Sequence, residues 1–355
     1  MLLTARLPTA SGQDPVPPSA PAPSRGPGPA PVPAYPEHLR ARVERYLESL
    51  RFVAEPAADG LEQAMRYSLL AGGKRIRPVL ALATASAIGR DPDWVLPLAV
   101  AIELIHTYSL IHDDLPAMDD DDLRRGRPTC HVAFGEDVAI LAGDGLYAEA
   151  FVLLLSRQQA DPERLLAATR ELAGATGAQG MVAGQYIDVA GTAPDGAAGL
   201  RRLHELKTGR LIAASIECVL LLAGLEDAPR MSSFSVFARE LGVLFQIVDD
   251  ILDVTGSEET LGKHQGSDER LGKRTYVSEF GLDGARELAA DCRRRALAAL
   301  AQAAGRPGGP AGGRTEAWAG GRREGWAEGR RDGWAGSHTT AELEQITDFI
   351  ATRSF

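Results

Sequence analysis

The chain has 355 residues, a net charge of −10 and an apolar fraction of 45%, which suits a globular fold with a sizeable core. The acidic balance excludes nucleic acid as an expected partner, because binding it relies on lysine and arginine neutralising phosphates. Cys130, Cys218 and Cys292 are odd in number and form no close-spaced pair, which argues against a disulfide framework or a zinc site and for a reducing compartment.

Residues 1–36 are dominated by proline, alanine, glycine and serine, and such a segment has too little to bury to offset its conformational entropy, so a disordered tail is expected. Met1 to Leu7 lacks the continuous apolar region of a secretory signal. No run reaches roughly 18 uncharged apolar residues, so no membrane span and a cytoplasmic location are expected.

From Glu37 the pattern becomes helical. Val43, Tyr46, Leu47 and Leu50 recur at helical spacing, and Leu61, Met65, Tyr67 and Leu70 do so more loosely. Val79 to Ile88 opens after Pro78, a residue suited to a first helical turn. Leu96–Ile111, Val138–Leu155, Pro162–Leu172, Leu200–Leu222, Phe234–Leu252 and Ala285–Ala303 are long, rich in alanine and leucine, and periodic. No run shows convincing strand alternation. The expected fold class is all-α, a bundle of about ten or more helices in one domain over 37–355. Within it, residues 305–338 break the pattern with an eight-residue Gly/Arg/Trp unit repeated three times. This reads as a low-complexity insertion, with an interaction loop anchored by tryptophan and arginine as the alternative. Thr340 to Thr352 closes the chain as a helix.

Two acidic stretches carry the chemistry. In the first, Asp113-Asp114-Leu115-Pro116-Ala117-Met118-Asp119-Asp120-Asp121-Asp122, six carboxylates follow an apolar helix directly. Crowded carboxylates raise each other's pKa unless a cation sits among them. Pro116 disfavours helix at Leu115, so Asp113 and Asp114 end one helix and Asp119 stands beyond a kink. In the second stretch, Asp249-Asp250-Ile251-Leu252-Asp253, Asp249 and Asp253 share one helix face. Carboxylates from two helix ends facing one another suit magnesium, which takes oxygen ligands and typically uses one or two carboxylates plus substrate phosphates. The cations are Lys74, Arg75 and Arg77 beside Gly72-Gly73, then Arg124-Arg125, Lys207 in Lys207-Thr208-Gly209, and Lys263 and Lys273 in Gly-Lys pairs. Carboxylates, fixed cations and long apolar helices together suit a substrate with a diphosphate head and a hydrocarbon tail.

These motifs resemble the trans-isoprenyl diphosphate synthases, and within them the bacterial type of farnesyl diphosphate synthase. The resemblance runs from about Tyr67 to Tyr276 and rests on Gly72-Gly73-Lys74-Arg75-Ile76-Arg77-Pro78, Asp113-Asp114-x4-Asp119, Leu123-Arg124-Arg125-Gly126, Lys207-Thr208-Gly209, Phe245-Gln246 and Asp249-Asp250-x2-Asp253. The tail and the tryptophan repeat depart from it. The resemblance implies the isoprenoid synthase fold around a deep apolar cavity. It also implies about three magnesium ions, with manganese as a substitute, held by Asp113, Asp119 and Asp249 with Asp114, Asp250 and Asp253 near by. Arg124, Lys207 and Lys263 would complete the grip on an allylic diphosphate, and Lys273 would bind substrate as well. Gly73, Lys74, Arg77, His106 and Arg125 would bind isopentenyl diphosphate; His106 by itself reads as a satisfied core histidine. Oxygens of Thr208 and Gln246 would shield the allylic cation, and a homodimer is implied.

Tyr108, five residues before Asp113 and followed by Ser109, resembles the bulky floor that stops growth of the product at fifteen carbons in this family; by itself Tyr108 also reads as core packing. The resemblance leaves a geranylgeranyl product open. A terpene cyclase has no use for Lys74, Arg77 and Arg125, simple diphosphate hydrolysis has none for the apolar helices, and a non-catalytic modulating subunit is expected to lose one aspartate motif.

Overall fold

The apolar run before the first acidic stretch forms an 18-residue helix, α4 (Leu96–Asp113), whose residues from Leu98 to Ile105 are all buried. A helix that is apolar all round has no solvent face and belongs at the centre of a bundle. Around it are wrapped α1 (Glu37–Ser49), α2 (Asp59–Leu69), α3 (Ile76–Ala87), α6 (Glu136–Arg157) and α10 (Arg210–Ala223). The computed structural model describes residues 35–225, 227–256, 272–305 and 339–352, all within one unit, Pro33–Phe355. The remaining helices are α5 (Cys130–Phe134), α7 (Pro162–Thr176), α8 (Met181–Val189), α9 (Gly196–His204), α11 (Ala228–Thr255), α12 (Tyr276–Ala303) and α13 (Ala341–Thr352). The chain is thus all-α, with the fold class expected from its periodicity.

Four local features differ from expectation. A two-residue antiparallel ladder, β1 (Leu123–Arg124) with β2 (Arg127–Pro128), follows the first acidic stretch, too short to leave a period in the sequence. Leu200–Leu222 is not one helix: a π-helical turn, Glu205–Gly209, separates α9 from α10. Tyr35 is buried and stacks on Phe349 of α13 at 4.8 Å, so ordered packing begins just inside the segment assigned to the tail. Finally, α6, α11 and α4 with the turn before it are long and apolar enough to cross a membrane by length and composition. An uncharged-run criterion misses them because charged residues interrupt each, such as Glu103 in α4, Asp144 and Glu149 in α6, and Arg239 and Glu240 in α11. Residues 1–34 of the tail and 306–338 of the repeat lie outside the described residues.

Helices α4 and α6 run antiparallel and are pinned at both ends. Gln158, just past α6, accepts from the Leu98 N–H at 3.3 Å and donates to the Trp94 carbonyl at 2.9 Å, satisfying an orphan donor at the start of α4. At the other end the His112 ring lies 3.1 Å from the Ile140 carbonyl.

Arg75 ties the sequence-adjacent elements together. Its side chain is fully buried, bonded to Glu103 of α4 at 2.7 Å, Glu44 of α1 at 2.9 Å and the Leu69 carbonyl of α2 at 2.7 Å. It therefore belongs to the core rather than to a surface anion pocket. Removing one partner of a buried pair strands the other charge. Arg75→Ala is expected to cost about 3–5 kcal/mol in a denaturant unfolding curve; a cost below 1 kcal/mol would show that the cluster does not hold these helices together.

Candidate active site

The chain folds back over the end of α4 after Pro116. The Asp113 carbonyl accepts from the Asp119 N–H at 2.9 Å, the Asp114 carbonyl from Asp121 at 3.2 Å, and the Leu115 carbonyl from Met118 and Asp120. These bonds satisfy the last carbonyls of the helix, and Asp120 takes a left-handed conformation (φ 54°) to make the reversal. The result returns Asp119 to the side of Asp113.

Each carboxylate then meets a different partner. Asp114 is buried and held by Arg124, whose Nε donates to both its oxygens at 2.7 and 2.9 Å. Burial pushes the Asp114 carboxyl up, and the Arg124 hydrogen bond opposes this. Asp113 accepts from Gln185 Nε2 at 2.8 Å. Its pKa is pushed up to about 6, first by burial and then by Asp119 and Asp114, against the pull of Lys207 and Arg124. Asp119 is paired with Lys273 at 2.8 Å. Asp188 of α8 sits between two lysines, 2.6 Å from Lys207 Nζ and 4.0 Å from Lys273 Nζ. Burial works against the charged form of Lys207, but the carboxylates of Asp188 and Asp113 outweigh it and raise its pKa. Carboxylates and lysines alternate from Asp119 through Lys273 and Asp188 to Lys207, whose charge acts in turn on Asp113, and together they form a carboxylate–lysine ring around the end of α4.

Lys207 and Thr208 lie in the π-helical turn, and α8 packs against that turn through Gly184. A Cβ on Gly184 would fall 2.2 Å from the Lys207 backbone nitrogen, so only glycine fits. On α11 the second motif divides by environment. Asp249 is exposed, and its side chain makes no hydrogen bond or ion pair among the described residues. Asp253 is buried. Asp250 is buried and accepts from Gln246 Nε2 at 2.7 Å and from the Tyr276 N–H of α12 at 2.8 Å. With its amide nitrogen spent on Asp250, Gln246 turns its oxygen to Thr208, which donates to it at 2.9 Å.

The second cation set lies across the β1–β2 hairpin. Arg125 (φ 54°) donates through Nη1 to the Gly72 carbonyl. Gly73 adopts φ 117°, and a Cβ there would lie 2.7 Å from the Arg125 guanidinium carbon. Arg77 lies over the Phe245 ring at 5.7 Å. His106 is held well below its usual pKa by burial first and then by Arg77, Arg125 and Arg124, so it is neutral and close to those arginines. Lys74 is exposed, with its ammonium 5.1 Å from the Phe349 ring of α13 and its carbonyl accepting from Tyr35. Ser109 is bonded back to the His106 carbonyl, and Tyr108 packs edge-on to Tyr147. Lys263 lies outside the described residues.

Two observations bear on a metal. Among the described residues no three His, Cys, Asp or Glu side chains converge closely enough to hold an ion by themselves. Magnesium does not require that, since it keeps waters and takes substrate phosphates beside one or two carboxylates. The hard oxygen donors of Asp113 and Asp119, with the Asp113 carboxyl raised to about 6 chiefly by its burial, fit such an ion. A cavity of about 500 Å³ between α2 and α5, lined by Arg51, Glu62, Arg66, Tyr67, Arg127 and Phe134 among others, contains none of these aspartates. Arg51 and Arg66 there cap the carbonyl of Leu50 after α1, so the chemistry belongs to the carboxylate–lysine ring.

The profile of the polyprenyl synthetase family matches residues 58–302, a span that holds both aspartate motifs and every lysine of the ring. The chain belongs to the polyprenyl synthetase family. Members of this family are trans-prenyltransferases. The polyprenyl synthetase described here is 48% identical to a farnesyl diphosphate synthase of Geobacillus stearothermophilus over 248 residues, 69% of this chain and 82% of that protein. It is 45% identical to a chloroplastic geranylgeranyl pyrophosphate synthase of Catharanthus roseus over 263 residues, 73% of each. Among solved structures, a geranyltransferase of Helicobacter pylori complexed with magnesium and isoprenyl diphosphate is similar with a TM-score of 0.69 at 34% identity, covering 78% of this chain and 93% of that one.

Sequence reasoning missed Gln185 and Asp188. A signal existed: two polar residues three apart put them on one face of the otherwise apolar segment Met181–Val189. The role of Tyr276 had none, because a backbone N–H carries no residue signature.

The raised Asp113 pKa has a sign that can be tested without metal. The folded state binds this proton more tightly than an ordinary carboxyl at 3.8. The residue's contribution to stability is therefore fully present below about pH 4 and is lost as pH rises through about 6. In EDTA, Asp113→Asn is expected to gain stability relative to wild type between pH 4 and pH 8, by at most about 3 kcal/mol for a two-unit shift. Denaturation curves at the two pH values check it; an equal difference at both would contradict the assignment.

Proposed function

We propose that this polyprenyl synthetase is a magnesium-dependent enzyme that condenses isopentenyl diphosphate with dimethylallyl or geranyl diphosphate to give farnesyl diphosphate. The observation that carries the reading is the pairing of two anion sites of different kind. One is the carboxylate–lysine ring of Asp113, Asp119, Asp188, Lys207 and Lys273. The other is the metal-free cation set of Arg77, Arg125 and neutral His106 beside Gly73 and Lys74. A reaction joining two diphosphate substrates needs both.

Asp113 and Asp119 from the end of α4 and Asp249 from α11 would hold magnesium, which, when bound with the allylic diphosphate, supplies positive charge to the departing group. Lys207, fixed on Asp188, and Lys273, fixed on Asp119, stabilise negative charge on that diphosphate without reorganising. Arg124, spent on Asp114, positions that carboxylate and adds charge from behind. Asp250 acts through Gln246: it fixes the amide so that oxygen, not N–H, faces Thr208, and oxygens of both residues stabilise an allylic cation. The second cation set holds isopentenyl diphosphate so that its double bond attacks that cation, and loss of a proton gives a chain five carbons longer. A cytoplasmic location and a homodimer covering the exposed apolar residues Ile140, Leu141, Val152 and Leu155 of α6 complete the reading.

A geranylgeranyl product is the second reading, favoured by the 45% identity to the Catharanthus roseus enzyme. Tyr108 weighs against it, since a bulky ring five residues before Asp113, packed edge-on to Tyr147 of α6, leaves less room for a longer chain. Purified protein with magnesium, isopentenyl diphosphate and a dimethylallyl or geranyl starter is expected to yield mainly a fifteen-carbon product, while Asp113→Ala and Asp249→Ala remain helical and lose at least about a hundredfold in turnover, the scale of a lost charge-stabilising group. A twenty-carbon product would transfer the reading to geranylgeranyl synthesis; near wild-type rates in either variant would overturn the metal assignment.

A further inference from the structure

Lys74 is exposed, yet its setting is built by the two ends of the described chain. It stands in a loop where Gly72, Gly73 and Arg75 take φ of 84°, 117° and 53°. A non-glycine residue such as Arg75 keeps that conformation only where its surroundings fix it. Here they do so on both sides of Lys74 and at Lys74 itself. Arg125 bonds the Gly72 carbonyl, the Arg75 side chain is locked onto Glu44 and Glu103, and the Tyr35 hydroxyl donates to the Lys74 carbonyl at 2.8 Å.

Tyr35 lies just before α1, and its buried ring packs on Phe349 of α13, with centroids 4.8 Å apart and planes at 55°. Phe349 in turn stands 5.1 Å from the Lys74 ammonium, within the distance at which the negative face of a ring attracts a cation. One backbone bond and one ring thus fix both ends of this lysine. A docked helix delivers the ring. Leu343, Ile346 and Ile350 of α13 are fully buried, Asp348 beside Phe349 pairs with Arg293 of α12 at 2.7 Å, and Glu342 lies 2.9 Å from His38 of α1. Arg77 is set in the same manner, over the Phe245 ring at 5.7 Å.

From these contacts we infer that Tyr35 and Phe349 are positioning residues for Lys74, so that the C-terminal helix completes the metal-free diphosphate site. The inference rests on the elongation reading above, in which that site holds isopentenyl diphosphate. A lysine side chain has many rotamers, and holding its ammonium over a ring before substrate arrives removes part of the ordering that binding otherwise requires. The carboxylate–lysine ring is built on other elements, namely the end of α4, α8, the π-helical turn and Lys273 before α12. The two substrates should therefore respond differently when the aromatic support is removed.

The test is steady-state kinetics, with magnesium and both substrates varied, of wild type, Phe349→Leu, Phe349→Tyr, Tyr35→Phe, Lys74→Ala and the double variant Lys74→Ala/Phe349→Leu, with melting temperatures of all. Phe349→Leu is expected to raise KM for isopentenyl diphosphate by about fivefold, the scale of an exposed cation–ring contact, with KM for the allylic substrate and kcat little changed. Phe349→Tyr keeps the ring face and should restore the wild-type KM. Tyr35→Phe should raise the same KM, because the Lys74 carbonyl loses its donor; this variant keeps the buried ring and serves if Phe349→Leu does not fold. In the Lys74→Ala background the Phe349→Leu change should add nothing, since groups that act through one another are not additive. The inference is overturned if folded Phe349→Leu and Tyr35→Phe keep the wild-type KM for isopentenyl diphosphate. It is also overturned if KM rises equally for both substrates, or if Phe349→Leu has its full effect without Lys74. Failure of folded wild type to use isopentenyl diphosphate would instead strike down the elongation reading itself.

Discussion

Asp113 and Asp114 are placed where an apolar helix leaves the core, and burial raises both carboxyls above their ordinary range. Charge at that point has to be answered by fixed cations, because water is largely excluded there. Much of the site follows from that constraint. Arg124 returns on a two-residue ladder to take Asp114. The chain doubles back so that Asp119 brings in Lys273. Asp188 fixes Lys207 in position. Asp113 is left with an amide rather than a cation as its hydrogen-bond partner, which is the state a carboxylate should have if its real partner is a divalent cation arriving with substrate.

The π-helical turn solves a second problem. Lys207 and Thr208 must face the carboxylates while their flanking residues stay in the core, and an extra residue in a helical turn displaces side chains from the regular spacing. Widened turns are tolerated only where neighbours allow close approach, and Gly184 supplies that from α8. The bonds from Thr208 through Gln246 and Asp250 to the Tyr276 N–H then join the turn to α11 and α12. Each aspartate motif is divided in the same way: Asp114 and Asp250 are buried and bonded to the frame, while Asp113 and Asp249 have no cation hydrogen-bonded to them among the described residues.

Much of this was legible in the sequence because helical periodicity is a long-range signal. The apolar run of α4, its termination near Pro116 and the pairing of two aspartate motifs with separate cation sets could all be read from residue order. What was not legible depended on contacts across the fold. Arg75 sits in a basic run with Lys74 and Arg77, yet its left-handed backbone turns it into the core onto Glu44 and Glu103, and nothing local distinguishes it. Asp250 and Asp249 are adjacent in sequence, but only packing against α12 decides which is buried. The interruption of Leu200–Leu222 was hidden because a π turn preserves the apolar content of a helix and shifts only its phase.

The central claim is that the carboxylate–lysine ring binds diphosphate through a divalent cation. Calorimetric titration of inorganic diphosphate into the full chain, with and without magnesium, tests it most directly. The account predicts binding that requires magnesium in wild type and is lost in Asp119→Asn. Diphosphate binding of equal affinity with magnesium and with EDTA would contradict it, by showing that the lysines and arginines alone form the site.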